Sequence, residues 1–435
     1  MTINRSVYWW SEDIAKKREV CLRFRRQYTR TRRRRRATAE EVASAYASYR
    51  TATMNLQSAI AEAKEKAWNE LLDGLNQNPW GRPYKMVLGK LRPCVPPLTE
   101  TLRPEFTRNV VDVLFPDNHN SINLMSIPDQ NDEPWTHELD VTESEMDMAI
   151  RRLSARNCVP GPDGIPGRAW ALALTVPELK HRLRSFFSKC LKAGIFPLSW
   201  KESKLVLIKK PDRPEDSPSA YRPICLLDEI GKLFERIIAA RLYEHLCDSG
   251  PDVSDRQFGF RRGRSTVDAI LHVRSIAERA TNSGKVALAV SLDIVNAFNS
   301  LPWDAIKDGL AHHNVPTYLR RTVDAYLRDR FICYVTRGGQ SHRRRTSCGV
   351  PQGSVLGPIL WNFAYDAVLR VNLPTSISVI CYADDTLLIA EGESYQEATH
   401  FAELGISRVV NKIQDLGLKI APHKTEALWF HKLPR

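Results

Sequence analysis

Two apolar stretches of this chain run into carboxylates, and that pairing constrains the fold more than any other feature. Residues 285–292 (KVALAVSL) have the composition of a buried strand and lead into Asp293. Residues 377–381 and 387–390 are also apolar and flank Tyr382-Ala383-Asp384-Asp385, the pattern of a β-hairpin with its acids at the turn. Aspartate favours turns for local reasons, so the hairpin alone is only a turn signal. Two adjacent anions, however, repel each other unless a cation or cationic side chain holds them. Strands that each deliver a carboxylate at one end can converge on a pair of hard, oxygen-seeking metal ions, the arrangement that clamps the attacking and leaving oxygens in phosphoryl transfer. No His or Cys adjoins these acids, which favours Mg²⁺ over Zn²⁺.

The chain has 435 residues and 43% hydrophobic content, enough for two or three domains with a buried core. Its net charge of +13 points to a polyanionic partner, nucleic acid before an anionic membrane surface. Residues 1–36 hold 13 Lys/Arg against 3 Asp/Glu and so carry +10 of that charge. Nine scattered cysteines without a CxxC pair argue against a structural zinc site or a disulfide framework and fit a reducing compartment. No apolar run approaches the roughly 18 residues of a membrane span, and no signal-peptide core opens the chain, so a soluble intracellular protein is expected.

Residues 1–38 read as a basic segment that stays disordered. Its block of five arginines at 32–36 should be solvated, laid on phosphate or read as a nuclear-import signal. From Ala39 to Asp73 the apolar positions Val42, Tyr46, Tyr49, Thr53, Leu56, Ile60, Ala63 and Ala67 form one stripe of a long helix stopped by Gly74 and Pro79. Thr and Ala weaken a coiled-coil seam, which favours a helix bracing another domain. With the Pro-rich stretch that follows, residues 39–140 form a helix and connector, and a compact domain occupies 141–435. It opens on a capping box, Thr142 to Glu145, and a rigid turn, GPDGIP at 161–166. Strands and helices then mix without regular βαβ alternation, so the expected class is α+β.

Other segments suit nucleic acid or phosphate. In GVPQGS (349–354) the glycines permit close approach to a ligand, the helix that follows offers its N-terminus to phosphate, and Gln352 has donor and acceptor groups for a sugar or base edge. Lys209, Lys210 and Arg222 offer cations for phosphate oxygens. In QFGFRRGRST (257–266), Arg261, Arg262 and Arg264 stand beside aromatics and glycines just before a helix with apolar Val267, Ile270, Leu271 and Ile276, a plausible backbone contact or a salt-bridged surface loop.

LDIVNAF (292–298), GVPQGSVLGPIL (349–360) and YADD (382–385), in that order, resemble the reverse transcriptase of non-LTR (LINE-type) retrotransposons, closest to the jockey-like and rDNA-inserting clades. The likeness runs from about residue 142 to about 430. It implies the fingers and palm of a right-hand polymerase, an antiparallel palm sheet with packed helices, preceded here by a basic helical linker. The implied activity is RNA-directed DNA polymerisation with two Mg²⁺ ions (Mn²⁺ as a substitute) on an RNA template, a DNA primer or target DNA, and dNTPs, in the nucleus. By resemblance Asp293, Asp384 and Asp385, with the Ile294 carbonyl, hold the metals. Lys210 and Arg222 grip the triphosphate, and the family's Lys-Pro step prefers Lys210 to Lys209. Phe298 excludes a 2′-hydroxyl, Gln352 lies against the nucleotide, and the segment of Gly259, Arg261 and Arg262 touches the template. Lys424, in GLKIAPHKT (417–425), is a candidate general acid for pyrophosphate. Asn299 stands where many relatives have Asp, and the rDNA-inserting branch likewise shows Asn there. Against the family pattern the sequence shows no endonuclease and no thumb, so it is expected to be a fragment of a longer element. A maturase-like or telomerase-like relative is the runner-up within the class, though telomere-specific RNA-binding features are not evident and a maturase should carry a further RNA-binding region after the palm. The alternative class is a truncated, non-catalytic nucleic-acid-binding remnant, and a two-metal nuclease would leave the cations and the Gln-Gly turn unexplained.

Overall fold

The structure is a computed structural model that describes residues 10–34, 38–77, 97–117, 135–154, 159–211 and 213–431. It divides into two compact units, residues 1–95 and 96–435. Arg35, Arg36 and most of the Pro-rich connector lie outside the described residues.

The first unit corrects the expectation of a disordered basic segment, because Glu12–Arg33 forms a helix, α1. Ser11 caps it, accepting from the Ile14 amide at 3.3 Å; Glu12 and Asp13 occupy its first turn and Arg30, Arg32 and Arg33 its last, each sign at the dipole end that favours it. Its least exposed positions are 14, 17, 21, 24, 28 and 31, a seam spaced by three and four. That seam meets α2 (Ala39–Gln77) antiparallel: Cys21 touches Thr53, while the Tyr28 ring lies 5.3 Å from that of Tyr46 and 6.2 Å from that of Tyr49. Among the described side chains of α2, Ala45, Ala52 and Ala59 are buried, seven apart, while Tyr46 is 48% exposed. Alanine therefore makes the seam by letting the helices approach closely, and α2 continues through Gly74.

The second unit holds two four-stranded sheets. In chain order its main elements are α3 (Pro104–Leu114), α4 (Glu143–Ser154), α5 (Pro177–Ala193), β1 (Glu202–Lys209), β2 (Tyr221–Leu226), α6 (Glu229–Asp248), α7 (Thr266–Asn282), β3 (Val286–Leu292), α8 (Trp303–His312), α9 (Thr317–Leu327), β4 (Phe331–Val335), β5 (Ser341–Arg345), α10 (Gly357–Leu369), β6 (Ile377–Tyr382), β7 (Asp385–Gly392), α11 (Tyr395–Asp415) and β8 (Glu426–Phe430). One sheet runs β2-β1-β4-β5 and packs Leu205, Leu207, Tyr221 and Ile332 against Val110, Val111 and Leu114 of α3. The other runs β6-β7-β3-β8, antiparallel throughout. The mixed α+β architecture, with an antiparallel palm-like sheet and packed helices, is the expected one.

The largest core joins that second sheet to α6, α8, α9, α10 and α11. Helix α10 is apolar on nearly every side (GPILWNFAYDAVL) and is accordingly buried almost throughout, which makes it the central strut. The capping box forms: the Glu145 amide donates to Thr142 Oγ1 at 3.2 Å and the Thr142 amide to Glu145 Oε2 at 2.8 Å. Helix α7 forms where expected, capped by Ser265 and Asp268. It packs through Ile276, Ala277 and Ala280, while Val267, Ile270 and Leu271 are 59%, 65% and 53% exposed.

Candidate active site at the edge of the antiparallel sheet

Three neighbouring strands bring the expected acids and one lysine to a single edge. Tyr382 pairs with Asp385 across a two-residue turn, Ala383-Asp384, that ends the β6–β7 hairpin. Leu292 of β3 pairs with Thr386 of β7, so the next step along β3 sets Asp293 across from Asp385. On the other side of β3, Ser291 pairs with Glu426 of β8, which follows the 3-10 turn Pro422–Lys424 that carries the lysine. The Lys424 ammonium donates to Asp293 Oδ2. Backbone bonds lock the strand end: the Ala421 amide donates to the Asp293 carbonyl and the Val295 amide to the Lys419 carbonyl, each at 2.8 Å, while Ile294 bridges to Ile420 and is buried.

The carboxylates feel one another. Burial pushes the Asp384 carboxyl above the usual carboxylate range, the charges of Asp385 and Asp293 push it further, and Lys424 only partly draws it back. The Asp385 carboxyl is raised by burial and then by Asp293. Three carboxylates whose repulsion Lys424 relieves only in part are the donor type that a hard divalent cation takes, so the residues present fit the metal that this chemistry implies.

Cations face the acids. Lys210, just past β1, donates to the Ser219 carbonyl at 2.8 Å. Burial holds its ammonium below the usual lysine range, and Lys424, Arg222 and Arg213 add to the depression while Asp293 opposes it. These five side chains therefore share one electrostatic neighbourhood. Lys209 instead pairs with Glu215 at 2.5 Å, which separates the two adjacent lysines. Phe298 is half-buried, stacked on Trp361 at 5.3 Å with the Phe260 ring edge-on at 5.8 Å. The Gln352 carbonyl accepts from the Cys225 amide at 2.8 Å, and its half-exposed side chain makes no hydrogen bond among the described residues.

Several expected ligand contacts are instead internal ones. A Cβ on Gly349 would sit 2.3 Å from the Asn299 carbonyl oxygen and one on Gly353 2.6 Å from that of Cys225, so both glycines admit the protein's own backbone. The N-terminus of α10 is not open to phosphate, because the buried Glu235 carboxylate accepts from the Val355 and Leu356 amides at 2.6 and 3.1 Å. Gly259 abuts the β6–β7 turn, where an added Cβ would lie 2.1 Å from the Ala383 nitrogen. Arg261 turns inward: its Nη1 donates to the Val253 and Ser254 carbonyls, both at 2.9 Å, and Asp252 pairs with it. Arg262 lies over the Tyr243 ring at 4.8 Å and is exposed.

Sequence reasoning missed Arg213, whose position after Pro211 resembles any solvated loop cation. It also missed Asn296, a left-handed residue (φ 53°) whose side chain donates to the Leu114 carbonyl at 2.6 Å. Asn299 is buried and donates to Asn296 Oδ1 at 3.1 Å, a bond that an ionised Asp could not make. No helix among the described residues is long and apolar enough to cross a membrane.

Residues 208–432 match the family model described as reverse transcriptase (RNA-dependent DNA polymerase). The chain is 29% identical over 398 residues to a Pol polyprotein of the type-1 retrotransposable element R1 from Bradysia coprophila, covering 89% of this chain and 38% of the relative. It is 31% identical over 408 residues to a 115 kDa protein of element R1DM from Drosophila melanogaster, covering 90% and 37%. To the RNA-directed DNA polymerase of the mobile element jockey, also from Drosophila melanogaster, it is 30% identical over 267 residues, covering 60% and 28%. The chain thus spans a little over a third of the length of the R1 relatives. Family model, relatives and converging acids agree: this chain belongs to the reverse transcriptase family, in its non-LTR retrotransposon branch.

Proposed function

We propose that this chain is the fingers and palm of an RNA-directed DNA polymerase, adding deoxynucleotides to a DNA primer 3′-hydroxyl along an RNA template. The observation that carries this reading is the meeting of Asp293, Asp384 and Asp385 with Lys424, Lys210 and Arg222 at one sheet edge. Two Mg²⁺ ions, with Mn²⁺ as a substitute, held by the three acids and the Ile294 carbonyl, would lower the pKa of the primer hydroxyl and neutralise the triphosphate. The chain's own side chains supply the rest. Lys210 and Arg222, with Arg213 nearby, bind the triphosphate oxygens as a point charge and planar forks. Lys424 is placed to give a proton to the departing pyrophosphate. Phe298, wedged between two rings, is too confined to yield to a 2′-hydroxyl and so selects deoxynucleotides. Gln352 offers its amide to the nucleotide. In a retrotransposon setting the primer is target DNA and the reaction is nuclear.

Primer extension by the full chain on poly(rA)/oligo(dT) with Mg²⁺ tests the reading. Expected is dTTP incorporation that Asp384→Asn abolishes. A folded chain that binds template–primer yet incorporates nothing in either Mg²⁺ or Mn²⁺ would make it a non-catalytic remnant.

A further inference from the structure

The segment before α7 that the sequence offers as a template contact turns its polar groups inward, onto the catalytic turn. Gln257 is 1% exposed. Its Oε1 accepts from the Gly259 amide at 2.9 Å and the Ala383 amide at 3.0 Å, and its Nε2 donates to the Ala383 carbonyl at 3.3 Å. One carboxamide thus takes both backbone groups of the residue before Asp384. The Trp361 indole donates to the same carbonyl at 3.1 Å. Backbone bonds extend the grip: the Cys381 amide donates to the Arg256 carbonyl and the Phe258 amide to the Cys381 carbonyl, each at 2.8 Å, so residues 256–258 run along the outer edge of β6. The segment is itself anchored, the Ser254 amide on Asp366 Oδ1 at 2.7 Å and the Gly259 carbonyl on Asn362 Nδ2 at 3.1 Å.

What it grips is strained. Ala383 has φ 61°, and a left-handed conformation costs a residue with a Cβ about 1–2 kcal/mol. Such a conformation persists where its surroundings over-determine it, and here it decides the direction in which the next residue, Asp384, leaves the turn. We propose that Gln257 is a positioning residue for Asp384: its carboxamide clamps the Ala383 backbone in the left-handed conformation and so sets the carboxylate against Asp293. An amide is needed because the turn presents one donor and one acceptor. Glutamate would keep the acceptor, lose the donor and bury a charge against the Ala383 carbonyl.

The proposal rests on the polymerase reading only for its kinetic test. In the full chain, Gln257→Met removes the hydrogen bonds at nearly constant shape, and Gln257→Glu keeps the acceptor alone. Amide hydrogen exchange without metal or substrate should quicken about tenfold at residues 383–386 in Gln257→Met and stay unchanged in α11, since about 1.4 kcal/mol of lost bonding is a tenfold change. In primer extension kcat should fall roughly ten- to a hundredfold, the loss that a small misplacement of a reacting group brings, with dNTP KM, template–primer affinity and its salt slope unmoved. Gln257→Glu, which sets a charge against the Ala383 carbonyl, should disturb both at least as much as Gln257→Met, and Gln257→Asn, which keeps a carboxamide one methylene short and should disturb both less, serves if neither folds. Unchanged exchange at the turn, or a loss confined to template–primer affinity at normal kcat, would overturn the proposal. A wild-type chain that extends no primer would instead count against the polymerase reading, and the exchange result would decide the clamp alone.

Discussion

Carboxylates that give up water on folding fall into two groups in this protein, and the fold treats them in opposite ways. At Glu145, burial pushes the carboxyl up, but the Arg241 guanidinium, bound in a two-pronged contact at 2.7 and 3.0 Å, and Thr142 outweigh it, and the group ends below the usual range. Asp366 ends low for the same reason: burial raises it, and His313, the Ser254 amide and Arg370 more than compensate. His312 lies near this pair, but Asp366 already has its partners, so the cluster reads as a structural ion network. At half-buried Asp384 and exposed Asp385 the neighbouring acids push in the same direction as the loss of water, and at Asp384 its own backbone amide and Lys424 only partly oppose them. The chain evidently has the means to neutralise a buried acid and does not use them fully at the sheet edge. Charge left unbalanced there is what a dissociable cation can exploit, and perturbed groups of this kind gather at functional sites.

Removing that imbalance should produce the largest effect. Asp384→Asn is expected to lower nucleotide incorporation by about a thousandfold or more, since several kcal/mol of charge stabilisation disappears with the ligand. The same change should leave the metal-free protein as stable as before or more so. The sign follows from the raised carboxyl: its charged form is disfavoured in the folded state, so its cost is greatest above the folded pKa and vanishes as pH falls below the ordinary carboxylate value. Thermal melts across pH should therefore show the wild type gaining on Asp384→Asn as pH drops. A variant that melts well below wild type at pH 7 would place Asp384 among the structural acids and erase the contrast.

The opposite manipulation belongs at the satisfied pair. Arg241 also donates to the Leu139 carbonyl at 2.8 Å and the Asp140 carbonyl at 3.2 Å, tying the entry of α4 to α6. Arg241→Met leaves half-buried Glu145 with Thr142 as its remaining partner and should cost about 1–3 kcal/mol of stability, read by denaturant titration, with the turnover of the folded fraction unchanged. Loss of turnover without loss of stability would mean that this pair serves the reaction.

Glu235 lies between the two groups and gives a smaller, pH-dependent signal. Burial raises its carboxyl despite Arg330 and two backbone amides. Its charge therefore weighs on stability as pH climbs from the ordinary carboxylate range through the raised value. Glu235→Gln keeps an acceptor for Val355 and Leu356 and should flatten that slope at little cost near pH 7. Glu235→Ala orphans both amides and should cost about 2 kcal/mol or more. Equal melting curves for the two variants would remove Glu235 as the cap of α10.

How much of this was legible beforehand depends on how local the cause is. Alternation and apolar runs located β3, β6 and β7, and the acids followed because strand register is set by the same pattern. The preference for Lys210 over Lys209 came from the Lys-Pro step of the resemblance alone, since its physical cause lies in the strand geometry and Glu215. The roles of Gly349 and Gly353 were misread because a glycine signals close approach without naming what approaches. For α1, a surplus of arginine concealed a seam of Ile14, Cys21, Phe24 and Tyr28 that pays for helix formation only when α2 is beside it. Arg261 and Arg262, adjacent and chemically identical, were indistinguishable in sequence because their difference lies in Asp252 and Tyr243, far enough along the chain to leave no local trace.

Those two arginines supply the finest test of the division between structural and available charge. Arg261 is bound to two carbonyls and Asp252, with a side chain 13% exposed, so its charge is already committed. Arg262 rests on an aromatic face that supports the guanidinium while leaving its donors outward. A cation that neutralises one phosphate steepens the dependence of log affinity on log salt by about 0.9 for duplex and about 0.7 for single strands. Arg262→Ala should therefore flatten the template–primer salt slope by roughly that amount, with stability unchanged. Arg261→Ala should leave the slope alone and instead lower stability by about 1–3 kcal/mol, as its carbonyl partners lose a charged donor. Substituting both together would merge the effects, so the single variants are the informative ones. A flattened slope in Arg261→Ala would show that its internal bonds open when nucleic acid arrives, and that the committed and available charges of this loop exchange places on binding.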